Sequence, residues 1–219
     1  MAVVYLHIGL PKTGTTHLQD RLWRNRDIAL RTSGLLYPGN VISDHFHVAV
    51  HLQPERYLDW ADPAFAGTWP TLLGQIRAWP QISLLSHELY STATVDQIER
   101  LMADLSFADE VHVIATVRDL GRQLPAAWQE SVKQGRAWGL KKFLERSLAG
   151  KTFFARSFDI PEVLGEWMIS LTDCARSSRG RRLMRKRPEF SVTFWPSTPM
   201  KDDRLTTSES FRISSARRC

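Results

Sequence analysis

Runs of apolar residues alternate with amphipathic segments along the first 171 residues of the chain. Residues 2–8, 82–86 and 111–117 predict β-strands, the last buried on both faces, and the piece 34–38 predicts a short edge strand. Helical spacing predicts helices from about residue 15 onward, from a capping box at 94–97 to about 105, and over 71–78, 120–137, 140–148 and 160–171. This alternation predicts a three-layer α/β fold, in which helices flank a parallel sheet.

Two segments depart from this alternation. Residues 38–70 contain four prolines, which predicts an irregular insertion that covers a cleft. From residue 172 the chain becomes rich in Arg, Ser and Thr without a sustained apolar period, so it buries too little apolar surface to offset its ordering entropy. The sequence therefore predicts one α/β domain over 1–171 and an aberrant, disordered C-terminal tail over 172–219.

The basic charge of the chain belongs to this tail. The net charge is +6, but residues 172–219 hold twelve Lys and Arg against five Asp and Glu, so the domain is close to neutral. A near-neutral domain does not predict binding to nucleic acid. A contact of the tail with nucleic acid or another acidic surface stays open as a minor alternative.

Three features bear on the cellular compartment. No apolar run approaches the roughly 18 residues that cross a bilayer, so no transmembrane segment is expected. The first strand occupies the N-terminus, where a signal peptide would have its basic and apolar regions. Cys174 and Cys219 are too few for a disulfide framework. We therefore expect a cytoplasmic protein.

A glycine-bounded loop follows the first strand directly. It reads Gly-Leu-Pro-Lys-Thr-Gly-Thr-Thr over residues 9–16, and a helix begins at about Thr15. Backbone N–H groups converge at such a turn, and the helix N-terminus adds partial positive charge, so the loop predicts a site for phosphate or sulfate. The glycine spacing matches a Walker A loop, but Thr15 stands at the position of the lysine, and the cation lies earlier, at Lys12.

A second candidate site follows the strand 111–117. Arg118 comes at the carboxyl end of this strand, where ligands of parallel α/β sheets bind, and its guanidinium suits two parallel hydrogen bonds to a phosphate. Asp119 is placed to cap the next helix.

With both sites in view, the chain resembles the sulfotransferases that use 3′-phosphoadenosine 5′-phosphosulfate. In that family a loop of this form binds the 5′-phosphosulfate, and the matching residues here are Pro11, Lys12, Thr13, Gly14, Thr15 and Thr16. Arg118 matches the arginine that binds the 3′-phosphate, whereas Ala126 stands where the family has a serine, so Gln123 or Arg122 is the expected substitute. The family's late glycine-rich loop with a lysine has no good counterpart. The resemblance covers about residues 1–171 and implies a P-loop-type fold.

The resemblance also implies a reaction, the transfer of a sulfuryl group to a hydroxyl or amine of a small-molecule or carbohydrate acceptor. Lys12 is expected to neutralise the charge that grows on the departing nucleotide. Glu88 and His87 follow the strand 82–86 and are both candidates for the base, with Glu88 preferred. No metal is expected.

Other interpretations of these residues stay open. A small-molecule kinase or nucleotide hydrolase would need a lysine beside the helix start and an acidic ligand for Mg²⁺, and an inactive sulfotransferase-like relic would retain only the fold. Two groups of side chains have weaker alternatives: a minor metal site at His45, His47 and His51, and an acceptor pocket lined by Trp60, Trp69, Trp79 and Trp128.

Overall fold

A computed structural model describes residues 1–57, 60–152, 155–176, 189–194 and 211–212. The strands are Val3–His7 (β1), Leu35–Leu36 (β2), Ile82–Ser86 (β3), Glu110–Val117 (β4), Glu189–Phe194 (β5) and Phe211–Arg212 (β6). The helices are Thr15–Arg24 (α1), Arg26–Ser33 (α2), Asp44–His51 (α3), Thr68–Ala78 (α4), Val95–Asp104 (α5), Leu120–Lys133 (α6), Leu140–Leu148 (α7) and Ile160–Arg176 (α8). Short 3₁₀ turns occur at Pro63–Phe65, Glu88–Thr92 and Ala155–Phe158.

The strands of the described residues form one sheet in the order β2-β3-β1-β4-β5-β6. β1 is parallel to both of its neighbours, with His7 opposite Ser86 of β3 on one side and Ile114 of β4 on the other. β2 is parallel to β3, which confirms the short edge strand. The predicted parallel α/β architecture is thus confirmed for these four strands. The loops that follow β1, β3 and β4 meet at one edge of the sheet, where parallel α/β folds bind ligands.

The apolar core forms where β1 and β4 face the flanking helices. Val4 and Leu6 of β1 are fully buried in one cluster with Val111 and Val113 of β4 and with Trp167 of α8. β4 does not match the prediction of a strand buried on both faces. Its odd-numbered residues from 111 to 117 are buried, whereas its even-numbered residues keep part of their surface exposed.

The predicted N-terminal caps of two helices are confirmed. The Thr94 hydroxyl accepts from the backbone N–H of Gln97 at 3.4 Å, and the Gln97 side chain accepts from the Thr94 N–H at 3.0 Å, which completes the capping box of α5. The Asp119 carboxylate accepts from the backbone N–H of Arg122 at 3.0 Å and caps α6.

Other helix predictions need correction. The long helix expected after the loop breaks at Asn25, and its residues Leu18 and Ile28 are exposed, at 38% and 54%. The segment 38–70, expected to be irregular, contains α3, in which Val48 and Val50 are buried. α6 ends at Lys133 rather than at 137, and α4 begins three residues before the expected 71.

The predicted tail 172–219 lies mostly outside the described residues. α8 continues past the expected boundary at 171 and ends at Arg176. Two other pieces of this segment are described, β5, which is parallel to β4, and β6, which is antiparallel to β5. These pieces belong to the sheet of the domain, although the sequence predicted no regular structure there. In the described part of the chain, each helix is too short or too polar to cross a bilayer.

Candidate functional site

The loop between β1 and α1 turns on three residues with positive φ. Gly9 has a φ of 69°, Lys12 of 67° and Gly14 of 94°. A lysine in this region costs about 1–2 kcal/mol, which packing around the loop must offset. Gly14 is the N-cap of α1 and has no side chain to cap the helix, so the first amide groups face outward at the positive end of the helix dipole. The glycine turn and the uncapped start of α1 are present as expected from the sequence, and the binding of an anion there stays a prediction.

The ammonium group of Lys12 contacts a carboxylate that the sequence analysis did not single out. Its Nζ lies 2.7 Å from Oε2 of Glu130 on α6, and both side chains are partly buried, at 29% and 28% exposure. The hydrogen bond from Lys12 lowers the pKa of Glu130, so the carboxylate stays ionised. An anion that binds the loop must compete with Glu130 for this cation.

The threonines of the loop have different environments. Thr13 is buried, and its hydroxyl donates to the carbonyl of Leu10 at 2.6 Å, which braces the loop from within. Thr15 is also buried, in the first turn of α1. Thr16 is exposed and lies on the wall of a cavity described below. Among these hydroxyls, the position of Thr16 is the one best suited to contact a ligand.

The fold brings the residues that follow β4 against the same loop. The side-chain amide of the fully buried Gln123 donates to the carbonyl of Pro11 at 2.7 Å, and Nη1 of Arg118 lies 3.4 Å from the carbonyl of Lys12. Residues from the two sequence-predicted sites therefore meet. Gln123 was expected to contact the ligand. Its side-chain amide instead donates to the loop, so Gln123 supports the loop backbone.

The candidate bases follow the end of β3, where a 3₁₀ turn begins. His87 donates its backbone N–H to the carbonyl of His7, and its Nδ1 accepts from the backbone N–H of Leu89 at 3.2 Å. Burial lowers the pKa of His87. The carboxylate of Glu88 accepts from the amide of Gln19 on α1 at 3.3 Å. Glu88 and His87 thus reach different neighbours.

A cavity of about 590 Å³ opens beside the first turns of α1. Its lining combines α1, the segment after β2 and the residue after β3, and consists of Thr16, His17, Gln19, Asp20, Tyr37, Ile42, His45, Phe46 and His87. The segment 38–70 therefore contributes to a cavity wall, as its position over a cleft suggested. The tryptophans singled out from the sequence make other contacts, since Trp69, Trp79 and Trp128 donate to Asp104, Gly34 and Trp138.

The three histidines of α3 do not share a ligand geometry. Both ring nitrogens of His45 are engaged, Nδ1 with the backbone N–H of Ser86 and Nε2 with the carbonyl of Pro38, and burial lowers its pKa to about 4. His51 contacts the carbonyl of Asp62, and the ring of His47 stacks on Phe65. Over the described ranges, no group of His, Cys, Asp and Glu is arranged to hold a metal ion.

Glu130 and the aromatic cavity wall are the parts of the site that sequence reasoning missed. Glu130 carried no local signal, because it meets Lys12 only through the packing of α6 on the loop. For Tyr37 and Phe46 there was a signal, since both lie in or beside the segment expected to cover the cleft.

Comparison with protein-family models, with curated proteins and with solved structures finds no match for this chain.

Proposed function

We propose that this chain is a sulfotransferase with a P-loop-type fold, which transfers a sulfuryl group from 3′-phosphoadenosine 5′-phosphosulfate to a hydroxyl or amine. One observation carries the proposal. The loop with Lys12 in its interior joins the central strand β1 to α1, and Arg118 at the end of the adjacent strand β4 lies against the backbone of that loop. Two anion-binding groups at neighbouring strand ends suit a nucleotide with phosphate groups at both ends of its ribose.

The residues present fit such a donor by their chemistry. The amide groups at the start of α1, with Lys12 and Thr16, offer hydrogen bonds and positive charge to a phosphosulfate, and the Arg118 guanidinium offers a fork of donors to a second phosphate. When bound, the donor supplies an activated sulfuryl group. No hydroxyl replaces the serine that the family has at position 126, so Arg118 carries more of the second contact here.

Lys12 has the main electrostatic role in the proposed reaction. Charge develops on the bridging oxygen of the departing nucleotide, and an ammonium group next to that oxygen stabilises it. Nζ of Lys12 also contacts Glu130, so a bound donor competes with this carboxylate for the ammonium group. A donor with several negative charges attracts the ammonium group more strongly than a single carboxylate at the same distance does.

The contacts of the two candidate bases favour Glu88. Nδ1 of His87 accepts a hydrogen bond, so the neutral ring carries its proton on Nε2 and offers a donor to the cavity rather than a free lone pair. Of the two, His87 lines the cavity, whereas the carboxylate of Glu88 reaches its edge through a hydrogen bond from Gln19, which lines it. We assign proton removal to Glu88 and orientation of the acceptor oxygen or nitrogen to His87.

The cavity beside α1 is the proposed acceptor site. Its volume of about 590 Å³ is within the range of small-molecule sites, and aromatic rings from Tyr37, Phe46 and His87 form much of its wall. A small molecule or a single sugar unit fits this volume.

The first test compares binding of adenosine 3′,5′-bisphosphate with binding of ATP·Mg²⁺ by calorimetry, for the native chain and two lysine variants. Lys12→Ala removes the proposed ligand contact. Lys133→Ala is a matched control, because Lys133 contacts the same carboxylate oxygen from an exposed position on α6, with its Nζ 3.9 Å from Oε2 of Glu130. We expect the bisphosphate to bind, Lys12→Ala to weaken it about ten- to hundredfold, and the control to change it less than about threefold.

Transfer of radiolabelled sulfate from the activated donor into a pool of acceptors then tests the reaction itself. Lys12→Ala should reduce the rate by about a hundredfold or more, and Glu88→Gln should reduce the rate more than His87→Gln. Preferential binding of ATP·Mg²⁺ would contradict the proposal in favour of a kinase or hydrolase. Binding of the bisphosphate without any transfer would indicate an inactive relic.

A further inference from the structure

A row of polar side chains, buried at His7, Ser86 and Thr13 and partly buried at Thr116, crosses the sheet beside the loop that follows β1. His7, the last residue of β1, lies at its centre, with Nδ1 2.7 Å from the hydroxyl of Ser86 on β3 and Nε2 3.2 Å from the hydroxyl of Thr116 on β4. The Thr116 hydroxyl is in turn 2.9 Å from that of Thr13, which donates to the carbonyl of Leu10. The row therefore connects three strands to the loop without a gap.

The direction of every hydrogen bond in this row follows from its last member. A carbonyl oxygen only accepts, so the proton of the Thr13 hydroxyl points to Leu10. The contact between the two threonines then needs the proton of Thr116, and the oxygen of Thr116 is left to accept from Nε2–H of His7. Nδ1 of the neutral imidazole has a lone pair and accepts from the Ser86 hydroxyl. One tautomer of His7, with the proton on Nε2, satisfies the whole row.

The surroundings of His7 keep this tautomer neutral. The residue is 2% exposed, and burial lowers the pKa of His7 to about 4; Glu88 raises this pKa by a smaller amount, and His87 lowers it further. A protonated ring would place a second N–H against the Ser86 hydroxyl and reverse that hydrogen bond. Near neutral pH, the direction of the row is therefore constant.

The other end of the row contacts the cavity. The backbone N–H of Ser86 donates to Nδ1 of His45, and its carbonyl accepts from the side-chain amide of Gln19. Both partners line the cavity. Hydrogen bonds thus connect His7 on one side, through Ser86, to the cavity wall and on the other side, through Thr116, to Thr13 of the anion-binding loop.

We propose that His7, as its Nε2–H tautomer, is a positioning residue that orders the anion-binding loop through Thr116 and Thr13 before a ligand arrives. The imidazole touches no ligand in this role. It keeps the Thr13 hydroxyl on the Leu10 carbonyl and so maintains the positive φ at Lys12 and Gly14. The effect on loop order is independent of the reaction, whereas the effect on nucleotide binding rests on the proposed sulfotransferase function.

The tautomer itself is the first test. The ¹⁵N spectrum of the native chain, labelled at histidine, distinguishes a protonated Nε2 from a protonated Nδ1, and His7→Gln identifies the His7 signals by their loss. We expect a proton on Nε2 between pH 6 and 8. A proton on Nδ1, or a rapid exchange between the two tautomers, would overturn the proposal.

The second test measures hydrogen exchange of the loop amides in Thr116→Val. The variant removes the hydroxyl that links His7 to Thr13, and Thr71→Val is the matched control, because Thr71 bonds the carbonyl of Gly67 on the surface of α4. We expect exchange at residues 10–14 to rise roughly five- to tenfold in Thr116→Val and to stay unchanged in the control. Equal exchange in both variants would refute the positioning role.

The third test uses adenosine 3′,5′-bisphosphate and two substitutions of His7. His7→Gln retains a side-chain N–H that can reach Thr116, and His7→Leu does not. We expect the first to keep affinity within about threefold and the second to lose about tenfold. If the native chain itself fails to bind the bisphosphate, the proposed function falls, while the tautomer and the exchange rates still decide the role of His7.

Discussion

Replacing Gly9 by alanine places a methyl group 2.6 Å from the Cα atom of Glu88 and forces an L-residue to hold a φ of 69°. The backbone of Gly9 thus packs directly against the candidate base Glu88. Two separate costs arise, one from the backbone conformation and one from the collision. Gly14→Ala measures the conformational cost alone, because Gly14 has a φ of 94° and no heavy atom lies within 4 Å of a Cβ there.

The expected magnitudes follow from these contacts. A residue with a side chain at positive φ loses about 1–2 kcal/mol of stability, so Gly14→Ala should lower the free energy of unfolding by that amount. Gly9→Ala incurs the same cost and adds overpacking of about 1–3 kcal/mol, because the obstructing atom belongs to the backbone and cannot rotate away. The total for Gly9→Ala is then about 2–5 kcal/mol.

Urea unfolding followed by tryptophan fluorescence measures both variants on one scale. Gly74→Ala on α4 is a control that should increase stability, since Gly74 has no positive φ and no atom lies within 4 Å of a Cβ there. We expect this control to raise the free energy of unfolding by about 0.5–1 kcal/mol. Equal losses for Gly9→Ala and Gly14→Ala would refute the close approach of the loop to Glu88.

Two further predictions concern stability. Burial lowers the pKa of His7 and His45 to about 4, so between pH 6.5 and pH 4 the unfolded chain binds more protons, and each histidine should cost up to about 3 kcal/mol as the pH falls through that window. Unfolding free energies at pH 7.5 and pH 5 check this, and a value independent of pH would contradict it. Thr94→Ala should lower the free energy of unfolding by about 1 kcal/mol through loss of the capping box, and Thr32→Ala on the exposed face of α2 is its control. A loss no larger than that of the control would show that the cap contributes nothing.

The parts of the fold that sequence reasoning predicted well depend on neighbours along the chain. β3 has the predicted bounds, and the caps of α5 and α6 are formed by the residues named for them. Strands, helix caps and glycine turns involve residues within a few positions of each other, so the sequence pattern alone predicts them.

The errors occur where packing decides against local preference. α3 was missed because the four prolines of 38–70 predicted an irregular segment, but all four lie outside Asp44–His51, and Val48 and Val50 of this helix are buried in the core. The helix after the loop was expected to continue, but Asn25 ends α1, and a second helix begins at Arg26.

From its order of residues alone, this chain determined an α/β domain whose first strand runs into a glycine-bounded turn and a helix, because strand runs, turns and helix caps involve residues close together in the sequence. Only the tertiary structure decided the partners of Lys12 and His7. Lys12 contacts a carboxylate 118 positions away, and His7 contacts hydroxyls 79 and 109 positions away. Such contacts exist only after β1, β3 and β4 are aligned and α6 packs beside the loop, and no local pattern of residues specifies that arrangement.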